Sequence, residues 1–321
     1  MDYDIFNGDA DGICALHQLR LEEPREDATL VTGVKRDIKL LSHIEKMVSA
    51  GDNLTVLDVS MDSNKEALLQ ILQKGGRVFY ADHHYAGDIP DGELLEAHID
   101  PSADICTALI IDSLLRGRYK PWAVVAAFGD NLHEAARKSA DSLGLKEEAV
   151  AVLRELGELL NYNGYGARES DLHFAPQALY KAIKPYESPF DFVRSSPAME
   201  QLRAGFHADM DNAKGQSAYL ENNSGRIFIF PQEPWSRRVA GVFSNEKARE
   251  LPDSAHALLV DNGDGSYLIS VRAPLNRKSG ADILCRSFPT GGGRAAAAGI
   301  NALPAAMLDE FVEKFTEIFN P

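Results

Sequence analysis

The apolar run Val78-Phe79-Tyr80-Ala81 ends on Asp82-His83-His84. Two earlier apolar runs also end on aspartate: Tyr3-Asp4-Ile5-Phe6 leads into Asn7-Gly8-Asp9-Ala10-Asp11-Gly12, and Leu54-Thr55-Val56-Leu57 leads into Asp58. Helical patterns separate these runs, so the alternation predicts βαβ units and a mostly parallel sheet with helices on both faces. In such an open α/β sheet ligands bind at the carboxyl ends of the strands, where side chains far apart in sequence can converge. Carboxylates and neutral imidazoles brought together need a cation. Oxygen donors suit Mg²⁺ or Mn²⁺, and imidazole shifts the preference toward a transition metal, which favours a pair of Mn²⁺ ions.

The expected strands are 2–6, 29–32, 54–57, 78–81 and 98–99. A helix over 65–74 opens after Asp62-Ser63-Asn64, which supplies capping side chains, and closes at Gly75-Gly76. From about 104 to 160 the pattern turns helical, with Ile105, Leu109, Ile110 and Leu114 spaced to share one face, which predicts a helical cap over the sheet's edge. Proline and turn residues cluster over 184–197 and predict a domain boundary. A long polar helix over about 198–220 precedes a second α+β unit: strand 226–230, helix 237–249, strand 257–260, and strand 267–272 after Asp261-Asn262-Gly263-Asp264-Gly265, a good hairpin turn. The expected organisation is a catalytic domain over 1–185, a linker and connecting helix over 186–222, and a smaller domain over 223–321.

With 321 residues the chain is long enough for two cores, and 45% hydrophobic with 25% charged content is ordinary for a globular protein. Charged residues interrupt every apolar run well before the ~18 residues of a membrane span, so neither a membrane nor a signal peptide is expected and the cytoplasm is. Cys14, Cys106 and Cys285 form no C-x-x-C pair and read as reduced, buried thiols. The formal net charge of −15 argues against holding long nucleic acid on a broad basic surface, while a small phosphorylated substrate stays compatible with it.

Asp9 and Asp11 point the same way if their segment is extended, and Gly8 and Gly12 let the backbone turn sharply beside them. A turn or a helix N-cap would use the same residues. Asp58, if it lies beside them, offers two oxygens to bridge two ions about 3.5–4 Å apart, the clamp used for displacement at phosphorus. His83 and His84 face opposite ways on an extended segment, so one ligates metal while the other orients or meets the substrate. Asp130, after the apolar helix 122–128, is the candidate last ligand. Signatures of serine nucleophiles, P-loops and dinucleotide-binding folds are absent from the expected places.

Asn7 through Gly12, Asp58, Asp82-His83-His84 and Gly129-Asp130-Asn131, in that order, resemble the four motifs of the DHH phosphoesterases, a family of RecJ-like exonucleases, nanoRNases, cyclic-dinucleotide phosphodiesterases and exopolyphosphatase-like proteins. The stretch from Asp100 to Ala108 is similar to the D-P-x-A…A-T segment of the nanoRNases. The resemblance implies two domains with a catalytic cleft between them and two Mn²⁺ ions, with Mg²⁺ or Co²⁺ as substitutes. It assigns Asp9 and Asp58 to one ion, and Asp11, Asp58, His83 and Asp130 to the other. Asp82 then orients these ligands, and His84 contacts the scissile phosphate. Asn7 departs from the histidine or aspartate that relatives supply at the start of the first motif, leaving Asn7 or water to complete that ion's shell.

Arg272, Asn276 and Gly291-Gly292-Gly293-Arg294 resemble the substrate-binding domain that accompanies DHH in the nanoRNases, with arginine in place of the usual histidine at 294. The glycines are expected to open an alanine-rich helix whose amides hold a terminal phosphate, beside a permanently charged arginine. Arg237 and Arg238 read as surface charge. The implied function is Mn²⁺-dependent hydrolysis of short 5′-phosphorylated oligonucleotides or linear dinucleotides such as pGpG. Alternatives are a polyphosphate or 3′,5′-bisphosphate nucleotide hydrolase, and a non-catalytic nucleotide sensor. A homodimer is compatible with any of them.

Overall fold

The computed structural model describes residues 1–320, and the chain divides into two compact units, Met1–Gly205 and Phe206–Pro321. In the first unit the strands are β1 (Asp2–Phe6), β2 (Thr29–Val31), β3 (Asn53–Leu57), β4 (Arg77–Asp82) and β5 (Leu95–Ile99). All neighbouring pairs are parallel, in the order β2-β1-β3-β4-β5. The order reverses between β1 and β3, so the crevice at their carboxyl ends is the switch point of the sheet. Ile5, Phe6, Leu54, Val56, Leu57, Val78 and Tyr80 are buried, as expected for strands covered on both faces. Asp4 interrupts the apolar pattern of β1. Arg20 accommodates it, donating from Nε and Nη2 to the two carboxylate oxygens at 2.9 and 2.6 Å and from Nη2 to Thr55 Oγ1 at 2.8 Å.

Helices α1 (Ala10–Glu22) and α2 (Met61–Gln73) connect strands. The start of α2 lies earlier than the 65–74 expectation, because the Ser60 side chain accepts from Ser63 N and caps the helix. Five helices follow: α3 (Thr107–Leu114), α4 (Lys120–Gly129), α5 (His133–Ser142), α6 (Glu147–Asn163) and α7 (Pro176–Ile183). The face expected from Ile105, Leu109, Ile110 and Leu114 is not the buried one. Thr107, Ala108, Ile111 and Asp112 are buried instead, and Leu114 is exposed. The amide-bearing end of α3 is turned toward Asp11, and that contact orients the helix. Next come α8 (Pro189–Ser195) and α9 (Pro197–Lys214). The 184–197 stretch is packed into the first unit: Phe192 is fully buried, and Trp122 Nε1 donates to Glu187 O at 2.9 Å.

The second unit holds β6 (Leu220–Asn222), β7 (Gly225–Phe230), α10 (Pro234–Glu250), β8 (Ala255–Asp261), β9 (Ser266–Arg272), α11 (Ala281–Arg286), β10 (Gly291–Arg294), β11 (Ala297–Pro304) and α12 (Leu308–Phe319). The sheet order is β10-β11-β9-β8-β7-β6, antiparallel except for the β7–β8 pair. Phe311, Phe315 and Phe319 recur every four residues along α12 and pack on Ile227, Leu259, Ile269 and Val271 of the sheet. The hairpin expected at 261–265 joins β8 to β9. The helix expected after the glycine triplet is absent: Gly291–Arg294 and Ala297–Pro304 form an antiparallel hairpin. Pairing of β11 along β9 overrides the helical propensity of the alanines, and Gly293 has a φ of 136° with no room for a Cβ, which would lie 2.5 Å from Ala298 Cα. Arg238 is buried, donating to Asp209 from Nε and Nη2 at 2.6 and 3.0 Å, so it is structural rather than surface charge. Among the described residues no helix is long and apolar enough to cross a membrane.

Gly8 and Gly12 are required for close approach and not for turning. A Cβ on Gly12 would lie 2.2 Å from Asn7 O, and one on Gly8 would lie 2.1 Å from Gly33 O. Gly12→Ala therefore forces α1 away from the end of β1, at a cost of about 2–3 kcal/mol. A drop in Tm of roughly 4–12 °C is expected for the first unit, followed by circular dichroism. An unchanged Tm would contradict this packing.

Candidate metal centre

Asp9 is the N-cap of α1: its Oδ1 accepts from the amides of Asp11 at 3.0 Å and Gly12 at 3.2 Å. Asp11 lies in the first helical turn, so the two carboxylates are brought together by a helix start and not by extended backbone. Asp11 Oδ2 accepts from Thr107 N at 2.7 Å and Oδ1 from Ala108 N at 2.8 Å. The amino end of α3 thus fixes the orientation of the Asp11 carboxylate. Asp58 follows β3 in a left-handed conformation, φ 56°, that a non-glycine residue adopts only when its surroundings impose it. Its amide bonds Ala81 O at 3.1 Å, fixing it between β3 and β4.

Asp82 is the last residue of β4, and its Oδ1 meets His84 Nδ1 at 2.7 Å. His83 and His84 do not face opposite ways. They lie beyond the end of β4, where strand alternation no longer applies, with ring centroids 4.4 Å apart and both rings near Asp58. Asp130 caps the carboxyl end of α4, its amide bonding Ala126 O at 2.9 Å.

Burial and the neighbouring carboxylates Asp11, Asp9, Asp82 and Asp130 push the Asp58 carboxyl well above its ordinary pKa. Asp130 is pushed up to about 6, chiefly by burial. Burial opposes ionisation of Asp9 too, but Lys35 and the Gly12 amide overcome it and hold this carboxyl low. The hydrogen bond that His84 Nδ1 donates to Asp82 raises the His84 pKa and favours its imidazolium.

His83 Nε2 lies 3.5 Å from Asp58 Oδ1, 3.7 Å from Asp130 Oδ2 and 3.9 Å from Asp11 Oδ2. These separations are long for hydrogen bonds. They suit donors around one cation, since ligands bound at about 2.0–2.2 Å stand roughly 3–4.3 Å apart. Asp11, His83 and Asp130 form one group with ligand atoms all within 4.8 Å of one another, and Asp58, His83 and His84 form a second. Among the described residues, buried Asp82 Oδ2 and Asn7 Oδ1 have no hydrogen-bond partner. Each group offers mixed carboxylate and imidazole donors that fit a divalent ion, and His83, common to both, has Asp11, Asp58 and Asp130 around its Nε2.

Around Asp9 the chemistry differs. Lys35 Nζ lies 2.5 Å from Asp9 Oδ2, 2.9 Å from Asn161 Oδ1 and 3.4 Å from Asp130 Oδ1. Asn7 Nδ2 donates to Lys35 O at 3.3 Å. Sequence reasoning missed Lys35, Asn161 and the Thr107 and Ala108 amides. A signal existed for Lys35, which lies past the end of β2, the neighbour of β1. Asn161 is a buried amide in an otherwise amphipathic helix.

In the second unit Arg294 pairs in register with Ala297, which pairs with Arg272. Both arginines therefore belong to one row on one face of the sheet. Arg294 is exposed, and Arg272 Nε is bonded to Asn245 Oδ1 at 2.8 Å. Asn276 donates to Asp253 Oδ1 at 2.7 Å in a surface loop, and Gly291 and Gly292 lie in β10 with no helix amino end beside them.

No protein-family model and no curated protein matches the chain. Solved structures do. A DHH-domain protein described as belonging to a family of ribosomal proteins aligns over 98% of this chain and 85% of its own, with a TM-score of 0.62 and 13% identity. Exonuclease RecJ bound to manganese aligns over 99% and 89%, with a TM-score of 0.61 and 17% identity. The pGpG-specific phosphodiesterase PggH from Vibrio cholerae aligns over 98% of both chains, with a TM-score of 0.55 and 17% identity. The chain has the DHH-domain fold. The motif residues that resemble those of the DHH phosphoesterases gather at the carboxyl end of its parallel sheet, Asp130 arriving from the end of α4.

Because ion binding must displace protons from carboxyls with raised pKa, affinity for a divalent ion is expected to fall as pH falls. With Asp130 at about 6, isothermal titration is expected to give an apparent Kd at pH 5 at least about tenfold weaker than at pH 7. Equal affinities would remove Asp130 from the ligand set.

Proposed function

We propose that the chain is a divalent-metal-dependent phosphoesterase that hydrolyses short 5′-phosphorylated oligonucleotides, with a linear dinucleotide such as pGpG as substrate and Mn²⁺ as the ion. The observation that carries the reading is the convergence of Asp58, Asp130 and Asp11 on His83 Nε2 at 3.5, 3.7 and 3.9 Å, with His84 beside Asp58. Mixed carboxylate and imidazole donors support Mn²⁺, as does the manganese in the RecJ structure. A bound divalent ion supplies Lewis-acid activation of water and of the phosphoryl group. His84 is held by Asp82 through Nδ1, which leaves Nε2–H of the imidazolium to donate to a phosphoryl or leaving oxygen. Asp11, fixed by the Thr107 and Ala108 amides, keeps its orientation throughout.

Short substrates are supported by the net charge of −15, which repels a continuing backbone, and by the match in extent to PggH. We assign Arg272 and Arg294 to the substrate's terminal phosphate, bound by side chains on a sheet face and not by a helix end.

The test compares kcat/KM with Mn²⁺ for pGpG and for a strand of roughly twenty nucleotides, longer than the ~4–16 that a single-strand-binding fold covers. The dinucleotide is expected to be cleaved faster. Equal or better cleavage of the long strand favours a RecJ-like exonuclease, and turnover only of polyphosphate or a 3′,5′-bisphosphate nucleotide replaces the substrate class. Asp58→Ala is expected to lower kcat by more than the roughly 100-fold that marks residues merely orienting ligands. Arg294→Ala is expected to raise KM for pGpG roughly 10–100-fold, with little effect on a minimal phosphodiester that lacks the distal phosphate. Equal losses on both would give the arginine a structural role.

A further inference from the structure

Four carboxylates, Asp9, Asp11, Asp58 and Asp130, face a small volume, yet only part of it has the donors of a metal site. On the Asp9 side stands the ammonium of Lys35, in a pocket built for it. Asp9 Oδ2, Asn161 Oδ1 and Asp130 Oδ1 accept from Nζ, the Tyr165 ring centroid lies 5.6 Å away, and the Lys35 amide is tied to Gly164 O at 3.0 Å. The other oxygen of Asp9 is committed as well, since Oδ1 caps α1. The first motif also supplies no histidine: Ile5 and Phe6 are fully buried core, and the Asn7 amide group donates to Lys35 O.

An ion bound to Asp9 Oδ2 and Asp130 Oδ1 and an ammonium bonded to the same two oxygens exclude each other, through contact and through like charge. Asp130 links the two halves, with Oδ1 toward Lys35 and Oδ2 toward His83 at 3.7 Å. We propose that Lys35 takes the place of one of the two cations implied by the resemblance, so that the chain works with a single divalent ion at Asp11, Asp58, His83 and Asp130 and a fixed ammonium beside it. The proposal rests on the phosphoesterase reading for the presence of the ion. Lys35 supplies charge on the Asp9 side but cannot activate water, so activation is confined to one position.

The test measures stoichiometry on the full chain, stripped with chelator and dialysed against Mn²⁺ alone, by elemental analysis and electron paramagnetic resonance. One ion per chain without exchange coupling is expected. Asp9→Asn, which keeps the cap on α1, is expected to retain that ion with Kd within about threefold, because asparagine caps as well as aspartate. Lys35→Ala is expected to take up a second ion that couples magnetically to the first. Should this variant fail to fold, the wild-type count and Asp9→Asn carry the test. Two coupled ions in the wild type, loss of the ion in Asp9→Asn, or a folded Lys35→Ala that still holds one ion would overturn the proposal and leave the phosphoesterase reading standing. No bound ion in any form would remove both.

Discussion

Mutual repulsion among Asp9, Asp11, Asp58, Asp82 and Asp130 is the constraint around which the first unit is arranged. Two like charges about 4 Å apart cost about 4 kcal/mol even at an effective dielectric of about 20. Each carboxylate but one has its own compensation. Asp11 has two amides of α3, Asp9 has the start of α1 and Lys35, Asp82 has His84, and Asp130 shares Lys35. Asp58 has Thr107 Oγ1 at 3.4 Å, the Asp9 carboxylate and the approaching imidazoles, and its carboxyl is the one driven well above its ordinary pKa with no lysine or arginine on it among the described residues. The chain thus leaves uncompensated the carboxylate at the centre of the group, where a divalent ion has most to offer.

The fold tolerates this concentration of charge by distributing its cost. Parallel strands β1, β3 and β4 carry mostly apolar buried residues, so the polar groups at their carboxyl ends emerge together from one edge. Close approach at Gly8 and Gly12 brings the start of α1 against the end of β1, and the left-handed backbone at Asp58 turns its carboxylate into the same crevice. Strain at Asp58 and crowding at Gly12 are local costs set against the packing of the whole sheet.

In the second unit the glycine triplet opens a hairpin and not a helix. Strands β9 and β10 carry Arg272 and Arg294 in one row of a sheet whose other face is packed by α12. Any anion bound on that row would meet guanidinium side chains and not helix-end amides.

Much of this was legible in the amino-acid sequence because it depends on local pattern. Strand runs closing on Asp9, Asp58 and Asp82 predicted a parallel sheet with acids at its carboxyl edge, and Asp261 to Gly265 predicted a hairpin. Tertiary structure decided what local pattern cannot carry. The alanines after Gly293 became a strand because β9 offered an edge to pair with, and Thr107 and Ala108 became partners of Asp11 across nearly a hundred residues. Local pattern put Lys35 past the end of a strand but did not pair it with Asp9: a lone lysine after a short strand has no periodicity to mark it, and only the folding of β2 beside β1 brings its charge there. Residue order determines which groups stand at a strand's end. Which of them neutralise one another is settled by the distances that the sheet imposes.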